Sequence, residues 1–204
     1  MHVLIPLGRI RANISGLKIV RIDKSEFINC AKNQIGLVLD PTGQELVYRE
    51  LCLKEPRLKQ RTLEGFLAEY VPAKLALACV YWVGCCLEHR IEDKDIKNIC
   101  FKEVMGLFES PKSLENATKF SECLYASNAD PEQSPVLGVL VHLFYKLDLE
   151  AIVKPGDDDA GRLNFGFTFM MEVCEALKIC CENQFSEFCY SQDVSPAPVA
   201  ERKD

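Results

Sequence analysis

The longest apolar stretch of the chain lies near its middle, at residues 71–89, with the sequence VPAKLALACVYWVGCCLEH. From Leu75 to Leu87, thirteen consecutive residues carry no charge, and they include the single Trp. Pro72 stands near the start of the stretch, and its fixed φ angle suits the first turn of a helix. The pattern predicts a central helix that begins at Pro72 and is buried on most sides. The uncharged run is shorter than the ~20 apolar residues that cross a bilayer, so we expect no membrane insertion.

The first quarter of the chain has a different pattern, in which short segments rich in Val, Ile and Leu are separated by turn residues. Four such segments are HVLIPL, LKIVRID, IGLVLD and ELVYREL. The residues Asp40-Pro41-Thr42-Gly43, which join the last two segments, are typical of a β-turn. The pattern predicts a small antiparallel sheet over residues 1–55.

After residue 55 the apolar residues recur at helical spacing. A first amphipathic helix is predicted at residues 57–70, and Pro72 then ends it or starts the next one. Asp93 or Asp95 is the predicted N-cap of a later helix, and Ser134-Pro135 is a favourable start for another. Further apolar stripes at helical spacing occupy residues 96–108, 114–124, 135–153 and 162–189.

Together these patterns predict an α+β fold. The N-terminal antiparallel sheet would pack on a bundle of five or six α-helices, and residues 1–190 would form a single domain. Residues 191–204 have little hydrophobicity and no periodicity, so we predict a disordered tail there.

Composition and charge narrow the class of protein. With 204 residues, of which 48% are hydrophobic and 26% charged, the chain is expected to be globular. The apolar run at the N-terminus is interrupted by Pro6 and Gly8 and follows no basic segment, so we expect no signal peptide and a cytoplasmic location. Residues 1–61 hold 11 Lys/Arg against 6 Asp/Glu, whereas residues 62–204 hold 13 against 24. The acidic second part disfavours nucleic acid as a partner and favours basic protein segments.

The eleven cysteines raise the question of a metal site. Most of them lie within apolar runs, where a free Cys behaves as a small buried hydrophobe. The spacing of Cys pairs that is typical of structural zinc sites does not occur. The best candidate set combines Cys85 and His89, at positions i and i+4 of the central helix, with Cys174 and Cys181 of the last helix. Buried thiols beside a partly exposed His explain the same residues without zinc, and no other cofactor is indicated.

Signatures of common enzymes are missing: the chain contains no GxSxG, no HExxH and no Gly-rich phosphate-binding loop. A Cys–His dyad through His89 is conceivable, but no recognisable catalytic context surrounds it, and His142 lies within an apolar helix. The acidic run at residues 157–159 fails the EF-hand pattern, because Gly161 and Thr168 fall where the fifth and twelfth positions need oxygen ligands.

These observations lead to three hypotheses of function. The first is a non-enzymatic interaction module, an adaptor or chaperone-like subunit (for example of a secretion-type complex), which uses an acidic, partly apolar helical surface. Its partner would be another protein, in particular a basic amphipathic helix. The second is a zinc- or thiol-dependent protein that uses Cys85, His89, Cys174 and Cys181. The third is a small enzyme whose site has no readable motif.

Overall fold

The computed structural model describes residues 23–109, 114–129, 134–149 and 175–193. Within these ranges the chain forms seven α-helices and no strand. The helices are α1 (Lys24–Val38), α2 (Pro41–Lys54), α3 (Leu63–Glu88), α4 (Lys94–Gly106), α5 (Leu114–Asn128), α6 (Pro135–Lys146) and α7 (Ala176–Asp193), with a short 3-10 helix at Pro56–Gln60. The predicted α+β class is therefore wrong, and the described part of the protein is all-α.

The predicted sheet fails because the apolar residues of α1 follow a helical period. Phe27, Ala31, Ile35 and Val38 are all buried, and they lie four, four and three residues apart. A strand would instead place every second residue on the buried face. The predicted strand IGLVLD therefore lies largely at the end of α1, and ELVYREL lies within α2. The other two predicted strands fall almost entirely in residues 1–22, outside the described ranges.

The predicted β-turn at residues 40–43 is also wrong, since it is the start of α2. Asp40 is the N-cap, and its Oδ2 accepts a hydrogen bond of 2.7 Å from the backbone N–H of Gly43. Pro41 occupies the first turn of the helix. Asp followed by Pro suits a β-turn and a helix N-terminus equally well, because both need an acceptor side chain before a residue of fixed φ.

The central helix is confirmed, but it begins earlier than predicted. Thr62 caps α3 through a 3.0 Å bond from the Gly65 N–H to its Oγ1, and α3 then continues through Pro72 to Glu88. A proline inside a helix costs about 3 kcal/mol. Packing offsets this cost, because α3 contacts each of the other six helices and Pro72 itself is buried.

By length and composition α3 is also a candidate membrane span, contrary to the expectation from its uncharged core alone. The apolar window is 61% buried against the rest of the protein. The core helix of a globular bundle has the same length and composition, so this property does not distinguish the two environments.

The core is organised around Trp82 of α3. The indole Nε1 donates a hydrogen bond of 2.8 Å to the backbone carbonyl of Ile96 in α4. The indole ring lies 5.1 Å from the Phe27 ring of α1 and 4.7 Å from the Phe185 ring of α7, measured between centroids. The aromatic cluster thus joins α1, α3 and α7, and the indole hydrogen bond adds α4 as a fourth helix.

Helix ends set the remaining geometry. Asp93 caps α4, as predicted, by accepting bonds from the backbone N–H groups of Asp95 and Ile96, and it also pairs with Lys24 of α1 at 2.7 Å. The Lys24 ammonium lowers the pKa of Asp93 below its ordinary value. Ser134 is the N-cap of α6, although its side chain makes no capping bond. Helix α7 continues to Asp193, three residues into the predicted tail, while residues 194–204 and the acidic run at 157–159 lie outside the described ranges.

Candidate functional site

An open, largely apolar groove runs along the second half of α3. Val80, Val83, Gly84 and Leu87 form one stripe at positions i, i+3, i+4 and i+7 of the helix, and all four line the groove. Phe101 of α4 forms part of the opposite wall. The groove encloses about 660 Å³. Its ends are formed by residues of α5, of the start of α6 and of α7, among them Leu124, Pro135, Val136 and Lys178.

Several apolar side chains that line this groove are unusually exposed to solvent. Val83 is 47% exposed, Leu87 69% and Phe101 46%. A Cβ atom added at Gly84 would have no described atom within 4 Å. Contiguous apolar surface of this kind commonly marks a site of interaction with another molecule.

Charged groups surround the groove in both signs. Glu88 and Glu182 lie on the side of α3 and α7, with Lys97 on α4 and Lys178 on α7. Lys178 and Glu182 form an i,i+4 pair at 3.7 Å. Glu88 forms no ion pair with any residue in the described ranges, and it is exposed.

Two of the predicted site residues, Cys85 and Cys181, come together at the contact between α3 and α7. Both are buried, and Cys85 also lines the groove. The Cys181 thiol donates a hydrogen bond to the Cys85 sulfur and so lowers the pKa of Cys85, against the opposing effects of burial and of the Glu182 and Glu88 carboxylates. The Cys181 sulfur also lies 3.6 Å from Oε1 of Gln34 in α1. Because a thiol has one proton, Cys181 can donate to only one of these acceptors at a time.

His89 lies at the C-terminal end of α3, one turn beyond Cys85. Its ring stacks on Phe185, with the centroids 5.9 Å apart and the planes 9° from parallel. Since Phe185 follows Cys181 by four residues, the His89–Phe185 contact forms the layer next to the two thiols. No group of three or more His, Cys, Asp or Glu side chains placed to hold a metal ion occurs in the described ranges. Cys174 lies outside them, so the four-residue zinc site stays a prediction.

A second pair of thiols was not predicted from the sequence. The Sγ atoms of Cys79 in α3 and Cys100 in α4 lie 3.6 Å apart, and both residues are buried. The hydrogen bond with Cys79, together with burial, raises the pKa of Cys100 far above its ordinary value, so that Cys100 keeps its proton. Residues 21 positions apart in sequence carry no signal that they meet, and only the packing of α4 on α3 reveals the pair.

His142 of α6 lies away from the groove, beside a smaller cavity of about 390 Å³ at the α5–α6 contact. Its Nε2 is 3.7 Å from Oε2 of Glu122, which also pairs with Lys146 at 3.0 Å. Burial, followed by the Lys146 charge, lowers the pKa of His142 below its ordinary value. His142 thus lies within α6, as the apolar pattern predicted, and its side chain is partly buried there.

Comparison with known protein families, with curated proteins and with solved structures gives no match for this chain.

Proposed function

We propose that this protein is a non-enzymatic interaction module, an adaptor or chaperone-like subunit, whose groove binds an amphipathic helix of a partner protein. The observation that carries the proposal is the open stripe of α3 formed by Val80, Val83, Gly84 and Leu87. Helices pack against one another through stripes at this spacing.

The groove suits a helix because it resembles the contacts that α3 makes elsewhere in the bundle. Toward α1, α4 and α7 the helix presents buried apolar residues at helical spacing, and a neighbouring helix covers them. The stripe along the groove has the same spacing, and no helix of the described ranges covers it. Gly84 lies at its centre, and a small residue there lets an incoming helix approach the backbone of α3 closely.

Charge favours a basic partner. Residues 62–204 carry 13 Lys/Arg against 24 Asp/Glu, and Glu88 at the edge of the groove has no ion-pair partner in the described part of the chain. An amphipathic helix with Lys or Arg beside its apolar face would pair with this carboxylate while its apolar residues cover Leu87.

The proposal can be tested with two synthetic helices of about five turns that have the same apolar Leu face. One carries Lys on its polar face and the other Glu, and binding to the full chain is measured by fluorescence anisotropy. We expect saturable binding of the Lys peptide and weaker binding of the Glu peptide. Leu87→Glu should abolish binding of the Lys peptide, since it places a charge on the apolar stripe.

Leu53→Glu is the matched control, because Leu53 of α2 is 72% exposed, as Leu87 is, but does not line the groove. It should leave binding of the Lys peptide unchanged. An equal loss of affinity in both variants, or binding that is insensitive to Leu87→Glu, would contradict the proposed site.

A zinc- or thiol-dependent function is the second candidate, favoured by the contact between Cys85 and Cys181. If these two residues bind zinc with His89 and Cys174, protein purified without chelator should contain one zinc per chain by elemental analysis, and Cys85→Ser should remove it. Zinc well below one per chain in the wild-type protein eliminates this candidate.

A further inference from the structure

The thiols of Cys79 and Cys100 lie on the two helices that form the long walls of the groove. Cys79 belongs to α3 and Cys100 to α4, and their sulfur atoms are 3.6 Å apart. Cys79 lines the groove, whereas Cys100 does not. A small molecule that enters the groove therefore reaches Cys79 first, with the sulfur of Cys100 immediately behind it.

We propose that Cys79 and Cys100 are a redox-active dithiol, which hydrogen peroxide entering the groove converts to a disulfide. In the first step the Cys79 sulfur attacks one peroxide oxygen and the O–O bond breaks. The hydroxide that leaves takes the Cys79 proton, giving a sulfenic acid and one water. In the second step the Cys100 sulfur attacks the Cys79 sulfur, and the displaced hydroxide leaves with the Cys100 proton as a second water. The two thiols are oxidised by two electrons, and the peroxide is reduced.

Disulfide formation needs only a small movement of the two sulfur atoms. A disulfide has an S–S bond of about 2.05 Å, so the two sulfur atoms need to approach by about 1.5 Å in total. Rotation of both side chains can share that distance. The order of the two steps follows from position, because Cys79 lines the groove where the peroxide enters and Cys100 lies behind it.

Cys123 of α5 provides the comparison within the same molecule. It is buried like the other two, and burial raises its pKa to about 12. No second sulfur among the described residues contacts it. A buried thiol without a neighbouring sulfur has no partner for a disulfide, so Cys123 should remain a thiol under the same conditions.

The disulfide would tie the two walls of the groove together and fix their spacing. Only the expected effect on partner binding rests on the proposed function. If the groove binds the Lys peptide, oxidised protein should bind it with changed affinity. Formation of the disulfide is measured separately, so its failure and the failure of peptide binding are distinguishable.

The experiment treats the reduced full chain with hydrogen peroxide, blocks remaining thiols by alkylation, and digests with trypsin without reduction. Cleavage after Lys or Arg places Cys79 in a peptide of residues 75–90 and Cys100 in one of residues 98–102. We expect these two peptides to be recovered joined, with fragmentation in the mass spectrometer assigning the link to Cys79. Cys123 should be recovered alkylated.

Variants sharpen the assignment. Cys79→Ala and Cys100→Ala should each abolish the link, while Cys123→Ala, which removes a buried thiol outside the groove, should leave it intact. Recovery of Cys79 and Cys100 as alkylated thiols from wild-type protein, while Cys85 and Cys181 become linked, would overturn the proposal. The wild-type measurement decides the question even where a variant fails to fold.

Discussion

Two parts of helix α3, residues 72–79 and residues 80–87, have similar composition but differ in how many of their apolar residues are exposed. From Pro72 to Cys79 every residue except Lys74 is buried, and α5, α6 and the other helices enclose this part of the bundle. From Val80 to Leu87 the chain is equally apolar, and Trp82, Cys85 and Cys86 are buried, yet Val83, Gly84 and Leu87 are exposed. Hydrophobicity alone therefore does not determine burial, and the number of neighbouring helices decides which apolar residues remain exposed. The exposed apolar residues of the second part are the ones that line the groove.

The largest expected effect is a loss of stability, and it is tested by replacing one leucine in each part of α3 by alanine. Leu77 is 1% exposed and Leu87 69%. Leu77→Ala should lower the free energy of unfolding by about 2–5 kcal/mol, since it removes packed methyl groups and leaves a cavity. Leu87→Ala should change it by less than about 0.5 kcal/mol. Denaturant unfolding of both variants checks this, and a large loss from Leu87→Ala would mean that the open half is covered in solution.

A second test uses two glycines. A Cβ at Gly138 of α6 would lie 2.6 Å from the backbone carbonyl oxygen of Ala126 in α5, so Gly138→Ala should destabilise the protein by about 1–3 kcal/mol. Gly84→Ala, in the open half of α3, meets no described atom and should stabilise by about 0.5–1 kcal/mol, because alanine loses less backbone entropy in a helix. The shifts in thermal midpoint should thus have opposite signs. Destabilisation by Gly84→Ala would show that the groove is more closely packed than described.

The smallest expected effect is a change of stability with pH, which comes from the partly buried His142. The pKa of His142 is lowered in the folded state from an ordinary value of 6.5, mainly by burial. As the pH falls below 6.5, the unfolded chain therefore takes up a proton more readily than the folded one, and stability decreases. Above that pH the group has no effect.

Unfolding midpoints measured from about pH 7 to about pH 5 test this, with His142→Gln as the variant that lacks the group. The variant should lose less stability than wild type over this range. Asp93 and Glu122 have lowered pKa values, so their stabilising effect is lost only below their ordinary values of 3.8 and 4.5, outside the range tested. Identical pH profiles for the two proteins would contradict the role given to His142.

The sequence allowed the helical part of the fold to be predicted because its signals are local. The uncharged run of α3, the Asp93 cap and the start of α6 at Pro135 all follow from neighbouring residues. The sheet was predicted wrongly because short runs of Val, Ile and Leu occur in buried strands and in helices alike, and Asp40-Pro41 begins either a turn or a helix. The buried positions Phe27, Ala31 and Ile35 carried the helical period that distinguishes the two.

The candidate site was only partly predictable. The proximity of Cys85 and Cys181 was predictable, because they lie on two apolar helices that were expected to pack. The structure brings the two residues together. The groove and the Cys79–Cys100 contact depend on how α4 approaches α3, which involves residues distant in sequence. No local pattern determines such an approach. Phe101 is an example. The residues near it in sequence predict a helix, but they do not predict that Phe101 lines the groove opposite α3.

All seven described cysteines whose side chains are placed are buried as free thiols. Packing protects them from oxidants while the chain is folded, apart from Cys79 and Cys85, which line the groove. Unfolding exposes these sulfurs together, and in an oxidising medium the cross-links that then form between wrong pairs block refolding. In an oxidising medium the lifetime of the protein therefore depends on the rate at which the bundle unfolds. Thermal denaturation should be reversible only when a reductant keeps the exposed cysteines as thiols.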